Sequence, residues 1–245
     1  GLDSLARDPG DRFEMVLTNP PFGKKSSITI VNSEGRTDRQ TLICERQDFW
    51  ATTSNKQLNF LQHVKTLLKI NGRAAIVVPD NVLFEGGAGE TIRRKLLAAY
   101  DVHTLLRLPT GIFYSQGVKA NVLFFDRRPA SEKPWTEKLW IYDFRTNKHF
   151  TLKTNTLSYA DIEDFIKCYN PENRHQRQET ERFRPFPYEE LIQRDKASLD
   201  IFWLKDDSLE DLENLPEPEV LAREIADNLQ AALEMFSSIY EELEK

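Results

Sequence analysis

Residues 14–22 read EMVLTNPPF. The first five are apolar or β-forming apart from Glu14, as expected of a short buried strand. Pro20 and Pro21 then end the ladder, because neither carries an N–H to donate and both lock φ. A strand that stops in Asn19-Pro20-Pro21-Phe22 is expected to present a rigid elbow at its C-terminal end. Downstream, residues 23–54 are polar, with Lys24, Lys25, Arg36, Arg39 and Arg46. A stretch of about 30 residues is too long for a plain connection. Part of it, SITIVN against TLICER, reads as a hairpin.

The next elements alternate. Residues 55–70 read as a helix with Leu58, Leu61, Val64 and Leu68 on one face, capped by Ser54 or Asn55 and stopped by Asn71-Gly72. AAIVV (74–78) reads as a strand buried on both faces, and 90–100 as a helix turning Ile92, Leu96 and Leu97 inward. VHTLLRL (102–108) and ANVLFFD (120–126) are strands joined without a helix, which predicts an antiparallel pair. LWIYDF (139–144) is a further strand placed outside the main sheet, 159–168 a helix, and 170–190 an extended polar connection. Strand, helix, strand, helix, strand, strand is an α/β sheet with a terminal antiparallel hairpin. Beyond the acidic, proline-containing segment 206–219, Ala222, Ile225, Leu229, Ala232, Phe236, Ile239 and Leu243 repeat at alternating spacings of three and four. Such a seam fits a helix that meets a partner, or one that lies on its own domain.

Charge is uneven. Residues 200–245 hold 14 acidic and 3 basic residues, a net of -11; the rest holds 25 acidic and 30 basic, a net of +5, giving -6 overall. A mildly basic body suits phosphate contacts, although a solvated glutamate-rich helix explains the tail as well. No run approaches the roughly 18 apolar residues that cross a bilayer. The first 16 residues have no apolar core of a secretory signal, so a cytoplasmic protein is expected. Two cysteines, Cys44 and Cys168, exclude a disulfide scaffold, and four scattered histidines make no metal site. Glu85-Gly86-Gly87-Ala88-Gly89 lacks the lysine of a P-loop, which excludes nucleotide hydrolysis of that kind; a phosphate cradle and a surface turn both fit it. Arg93, Arg94 and Lys95 are expected on a solvated helix face, Asp80-Asn81 near the site, and Trp135, Trp140 and Trp203 in packing.

The elbow suits one task, the holding of an exocyclic amino group on an aromatic ring. The Asn19 side-chain carbonyl and the fixed main-chain carbonyl of Pro20 are two acceptors for the two hydrogens of an NH2 group. Gripped this way, the nitrogen leaves conjugation and exposes its lone pair. Phe22 offers a face for the ring, worth about 1–3 kcal/mol per stacked base. No strong base is needed, in keeping with the lack of a Ser-His-Asp or Cys-His arrangement.

NPPF after a strand resembles the catalytic motif of amino-directed S-adenosylmethionine methyltransferases. With NKQLNFLQHVKTLLKINGRAAIVVPDNVLFEGGAGETIRRKLL (55–97), LLRLPTGIF (105–113) and KANVLFFDR (119–127) in that order, the chain resembles the modification subunit of type I restriction–modification systems, over about residues 12–145. The resemblance implies the C-terminal half of a Rossmann-like class I methyltransferase sheet, followed by a helical extension. It implies N6-methylation of an adenine flipped out of double-stranded DNA, S-adenosylmethionine as donor, a separate specificity subunit and a restriction subunit. Asn19, Pro20, Pro21 and Phe22 would be catalytic, and Lys24, Lys25, Arg36 and Arg39 would contact DNA. The family's glycine-rich donor loop precedes NPPF, and no FxGxG occurs here, so the chain is expected to be a fragment lacking most of the donor pocket and inactive alone. The expected division is 1–130 catalytic, 131–205 an α/β extension, 206–219 a linker, and 220–245 a helix for the specificity subunit. The same tetrad also serves methylation of RNA or of protein glutamine, and a non-catalytic DNA-clamping assembly module is the reading outside enzymes.

Overall fold

The computed structural model describes residues 4–22, 45–113, 118–152 and 155–205, and the backbone of 27–31 and 37–41. Contacts divide the chain into Gly1–Leu204 and Lys205–Lys245. The acidic segment 206–219 and the heptad helix 220–245 lie outside the described residues, so those expectations stand as they were.

Six strands of the first unit form one sheet in the order β1-β4-β6-β5-β7-β8. They are β1 (Phe13–Thr18), β4 (Leu68–Pro79), β5 (Tyr100–Arg107), β6 (Ala120–Arg127), β7 (Lys138–Asp143) and β8 (Phe183–Pro187). β1 runs parallel to β4, with Val16 opposite Ala74 and Thr18 opposite Ile76. β6 lies antiparallel between β4 and β5. The short connection from β5 to β6 forces that reversal, as its length predicts. β2 (Ser27–Val31) and β3 (Thr37–Thr41) form the separate antiparallel hairpin, its second strand earlier in the chain than TLICER.

Helices clothe the two faces. α1 (Lys56–Leu67), α2 (Asn81–Phe84) and α3 (Ala88–Ala99) cover one face, where Leu58, Leu61, Ile92, Leu96 and Leu97 bury against Ile76, Val78, Val102, Leu105 and Phe125. α4 (Tyr159–Tyr169) covers the other, its Phe165 meeting Phe124 and Tyr142. The Ser158 hydroxyl and the Asp161 carboxylate close a capping box at its start. α5 (Tyr188–Gln193) follows β8 and buries Leu191.

Several expectations are corrected. β1 is not buried: Phe13 is 47%, Met15 46% and Leu17 71% exposed. Among the described residues it pairs with β4 alone, and only its Val16 packs on the main core. α1 ends at Leu67, before Asn71-Gly72, because Leu68 already has strand dihedrals. Asn71 at φ 66° and Gly72 instead form the irregularity where the register with β1 shifts. A Cβ on Gly72 would lie 2.9 Å from the Phe13 carbonyl oxygen, so only glycine fits. β7 belongs to the main sheet, parallel to β5. The 170–190 connection contains β8 and the start of α5. Pro185 and Pro187 are tolerated in β8 because it is the far edge strand, paired only with β7. Arg93 is not on a solvated face but 1% exposed. Of the tryptophans, Trp140 stacks on Phe183 and Trp203 packs on Phe186, as expected, whereas Trp135 is exposed and holds the Pro129 carbonyl.

β5 and β6 carry a buried polar pair. His103 Nε2 is 3.4 Å from Asp126 Oδ1, and its Nδ1 meets Thr104 Oγ1. Asp126 also receives Arg174 and Arg128, and Asp101 faces the same two arginines. Burial pushes the His103 imidazole below its ordinary range despite Asp126. Burial would raise the Asp126 carboxyl, but hydrogen bonds from His103 and Arg174 hold it at about 2. A histidine with a depressed folded pKa binds more protons when unfolded, so stability falls as pH drops below about 6.5. The Asp126 contribution is lost only between about pH 3.8 and 2. Urea midpoints of the chain are therefore expected to decline from pH 7.5 to 5, and His103→Gln to flatten that decline; an unchanged slope in the variant would count against it. His63, depressed by burial and Arg46, contributes with the same sign and persists in the variant.

Candidate active site

The parallel strands β1, β4, β5 and β7 all end on one edge of the sheet, and open α/β sheets bind their ligands at that edge. The elbow leaves it from β1. Asn19 is exposed, Pro20 buried, Pro21 exposed, and Phe22 is 37% exposed. The turn is held from two sides. Gln57 Nε2 donates to the Pro21 carbonyl at 2.6 Å. Gln57 sits in the first turn of α1, where Asn55 caps by accepting from the Gln57 and Leu58 amides. Asn55 Nδ2 and Asn81 Nδ2 both donate to Glu85 Oε2, which ties the start of α1 to α2. The Phe22 ring meets Phe113 edge to face, with centroids 5.4 Å apart. Phe113 follows β5 in the LPTGIF turn. There Gly111 has φ 83°, and a Cβ on it would fall 1.8 Å from the Phe150 carbonyl oxygen. Glycine alone permits that close approach.

Behind the elbow the strand ends are cross-linked by charge. Asp80, just after β4, receives both Nη atoms of Arg145 at 2.9 Å and Asn121 Nδ2 at 2.8 Å. Burial raises its carboxyl, but these bonds outweigh burial and hold it below the usual carboxylate range. Arg107, at the end of β5, lies 2.6 Å from Asp200 and under the Phe202 ring. Asp143 is occupied by Thr146 and the Arg145 amide. Asp80 is thus a strut of this edge, bound into the chain rather than open to a ligand.

The four elbow residues are adjacent and at a strand end. Lys24, Lys25 and Arg36 lie outside the described residues, and Arg39 is placed only as backbone, opposite Thr29 in β3. The turn 85–89 is packed at Gly86 and Gly89, while Gly87 between them is exposed. Gly87 caps α3 at φ 59°, a Cβ on Gly86 would press on Lys196, and the Glu85 carbonyl accepts from Arg93. Gln57 and Phe113 are the site residues that the sequence reading did not single out. Gln57 looks like the polar face of an amphipathic helix, and nothing local tells that it reaches 36 positions back. Among the described residues no cluster of His, Cys, Asp or Glu could hold a metal, and no helix is long and apolar enough to cross a membrane.

Residues 2–200 match the family model of the N-6 DNA methylases. The chain belongs to that family. Among similar N-6 DNA methylases, the methylase subunit of the type I restriction enzyme StySJI from Salmonella typhimurium (strain LT2) is 39% identical over an alignment of 264 residues, covering 95% of this chain and 47% of the relative. The EcoKI methylase subunit from Escherichia coli (strain K12) is 38% identical with the same coverage. The crystal structure of the EcoKI M protein superposes with a TM-score of 0.69 at 36% identity, over 98% of this chain and 52% of that one. A modification subunit of a type I restriction enzyme from Vibrio vulnificus YJ016 gives 0.62 at 27% identity, over 86% and 43%. The chain spans about half the length of the curated relatives it matches. These matches bear out the mixed α/β methyltransferase fold expected from the sequence.

Proposed function

We propose that this N-6 DNA methylase chain grips the target base for N6-methylation of adenine in double-stranded DNA, within the modification subunit of a type I restriction–modification system. The observation that carries the reading is the elbow: an exposed Asn19 and a half-exposed Phe22 on a proline-fixed turn at a strand's C-terminal end. Methylase subunits of type I restriction enzymes among its relatives favour DNA over RNA or protein glutamine.

The chemistry follows from those groups. Adenine leaves the duplex, since its amino group cannot meet a donor in line while stacked. Its ring rests on the exposed part of Phe22, which Phe113 braces edge-on. Asn19 Oδ1 and the Pro20 carbonyl accept the two N6 hydrogens, the latter from a buried residue whose φ is locked. The gripped nitrogen turns tetrahedral and presents its lone pair. S-adenosylmethionine supplies an electrophilic methyl group when bound. After transfer the nitrogen is cationic and gives up one proton, so no base has to act beforehand.

The described residues do not fit the adenosine part of that donor. The strand-end carboxylates Asp80 and Asp143 are taken up by Arg145, Asn121 and Thr146, and in the turn 85–89 Gly86 meets Lys196 and Gly89 meets Arg93. We therefore assign this chain the acceptor side, with the donor side in the rest of a protein as long as its relatives. Such a complete protein, incubated with DNA and S-adenosylmethionine and followed by nucleoside mass spectrometry, is expected to yield N6-methyladenine. Methylcytosine, or no methylated base, would overturn the reading.

Assembly is proposed from the heptad pattern of residues 220–245, a contact for the specificity subunit in a complex that also holds the restriction subunit. Removing 220–245 is expected to abolish co-purification with the specificity subunit, and full retention would contradict the assignment. Lys24, Lys25, Arg36 and Arg39 remain the proposed contacts to DNA phosphates.

A further inference from the structure

The opposite edge of the sheet, away from the elbow, holds a cavity of about 170 Å³ lined by Arg12, Asp48, Lys65, Thr66, Tyr100 and Arg127. Residues at or before the ends of four elements meet there. Arg12 precedes β1, Asp48 precedes α1, Lys65 and Thr66 close α1, Tyr100 opens β5 and Arg127 closes β6. Three basic residues and one acidic residue line the same space, and the acidic carboxylate is already bonded elsewhere. Asp48 is held by Arg46 through both oxygens, at 3.0 and 2.7 Å, and by the Thr66 hydroxyl at 2.6 Å. Arg12 is paired with Asp8. Lys65 and Arg127 have no carboxylate within ion-pair distance among the described residues. Lys65 Nζ donates to the Asp48 carbonyl, Arg127 Nη1 donates to the Leu68 carbonyl, and the Tyr100 hydroxyl donates to the Lys65 carbonyl.

Lys65 is 9% exposed, and its ammonium lies over the Trp50 ring. A buried ammonium whose nearest carboxylate is already bonded to Arg46 and Thr66 is costly, and a second cation with no carboxylate at ion-pair distance in the same cavity adds to that cost. The crowding registers on Lys65 itself. Burial lowers its pKa most, Asp48 opposes, and Arg127, Arg46 and Arg12 lower it further. An anion in the cavity would relieve burial and repulsion together. The space equals about five or six water molecules, which suits a tetrahedral oxyanion and is too small for a nucleotide.

We infer that the cavity between Lys65 and Arg127 is a binding site for a phosphate group. Charge-assisted N–H···O bonds from the ammonium and the guanidinium are the strong kind for such a ligand. Arg127 can offer its remaining guanidinium donors as a fork, and Lys65 adds a point charge. The phosphate can be free in solution or part of a nucleic-acid backbone. The site is independent of the elbow and of methyl transfer, so its test does not depend on either.

The test is the thermal stability of the whole chain, residues 1–245, in inorganic phosphate against chloride at matched ionic strength. Phosphate is expected to raise Tm beyond chloride in a saturable way. Lys65→Met keeps the aliphatic stem on Trp50 and removes the charge, and Arg127→Gln keeps a donor for the Leu68 carbonyl. Each is expected to weaken the apparent phosphate affinity at least tenfold, while exposed Lys133→Gln leaves it unchanged. If Arg127→Gln proves unstable, Lys65→Met decides alone. A short DNA duplex added at saturating phosphate separates the two sources: displacement of phosphate assigns the site to a nucleic-acid backbone, and undisturbed binding assigns it to the free ion. A phosphate effect equal to that of chloride, or one that survives undiminished in Lys65→Met, would mean general salt stabilisation and overturn the site.

Discussion

Replacing Arg93 with methionine is expected to destabilise the first unit by about 3–5 kcal/mol, read from urea unfolding of the chain. Arg93 lies on α3 beside two exposed-looking basic neighbours, yet it is 1% exposed. Its guanidinium donates to four main-chain carbonyls: Val82 at 2.9 Å, Glu85 at 2.7 Å, Lys196 at 2.7 Å and Ala197 at 3.1 Å. Burial lowers its pKa to about 10, still far above neutrality, so it stays charged. Methionine would fill much of the volume but leave four main-chain acceptors without their donor, those of Val82 and Ala197 in buried bonds, at about 1–3 kcal/mol for each one that water cannot reach. Two of those carbonyls belong to a strained turn. Lys196 and Ala197 adopt φ of 52° and 47°, a left-handed conformation that non-glycine residues avoid. Arg93 over-determines that turn by gripping both residues. Arg93→Lys is expected to rescue little, because a single ammonium cannot span four acceptors in the plane of the fork. Arg94→Ala provides the contrast. Arg94 pairs with Glu90 on a partly exposed face and holds the Ile192 carbonyl, so its loss should cost about 1 kcal/mol. Equal costs for the two substitutions would refute the role assigned to Arg93.

Arg93 also illustrates how far the sequence carries. Elements whose signal is local were readable: the one-sided leucines of α1, a cap at Ser54 or Asn55 that Asn55 makes, the inward face of α3, and the β5–β6 reversal imposed by a short connection. Elements decided by neighbours were not. Three consecutive basic residues look solvated until α2 and the turn at 196–197 close over one of them. Pro185 and Pro187 argue against a strand until β8 proves to be an edge, with one partner to satisfy. β1 is apolar enough to read as buried, but among the described residues only β4 pairs with it, which leaves Leu17 largely bare. Of the proposed site, Asn19, Pro20, Pro21 and Phe22 could be named from the sequence because they are contiguous. Gln57 and Phe113 could not, because they come from α1 and the turn after β5 and meet the elbow only in three dimensions.

The second large effect concerns the elbow itself. Asn19→Ala removes one of two acceptors proposed for the N6 amino group while leaving the prolines and the turn in place. Asn19 is exposed, so the substitution is expected to change stability by no more than about 0.5 kcal/mol. The acceptor is engaged most strongly as the nitrogen becomes tetrahedral and positive, so its loss should appear in kcat rather than in binding. Removing a single preorganised polar group of this kind costs about 10²–10³-fold. Phe22→Ala should weaken capture of the flipped base by about 1–3 kcal/mol, through lost stacking. Gln57→Leu should have a milder effect, since it loosens the Pro21 carbonyl without touching the base. The most direct measurement is single-turnover transfer of a labelled methyl group to duplex DNA by Asn19→Ala in the complete protein, with the unsubstituted protein alongside. A rate lower by at least about a hundredfold, with unfolding unchanged, is the result predicted here; transfer within tenfold of the unsubstituted rate would contradict the elbow as the base-gripping device.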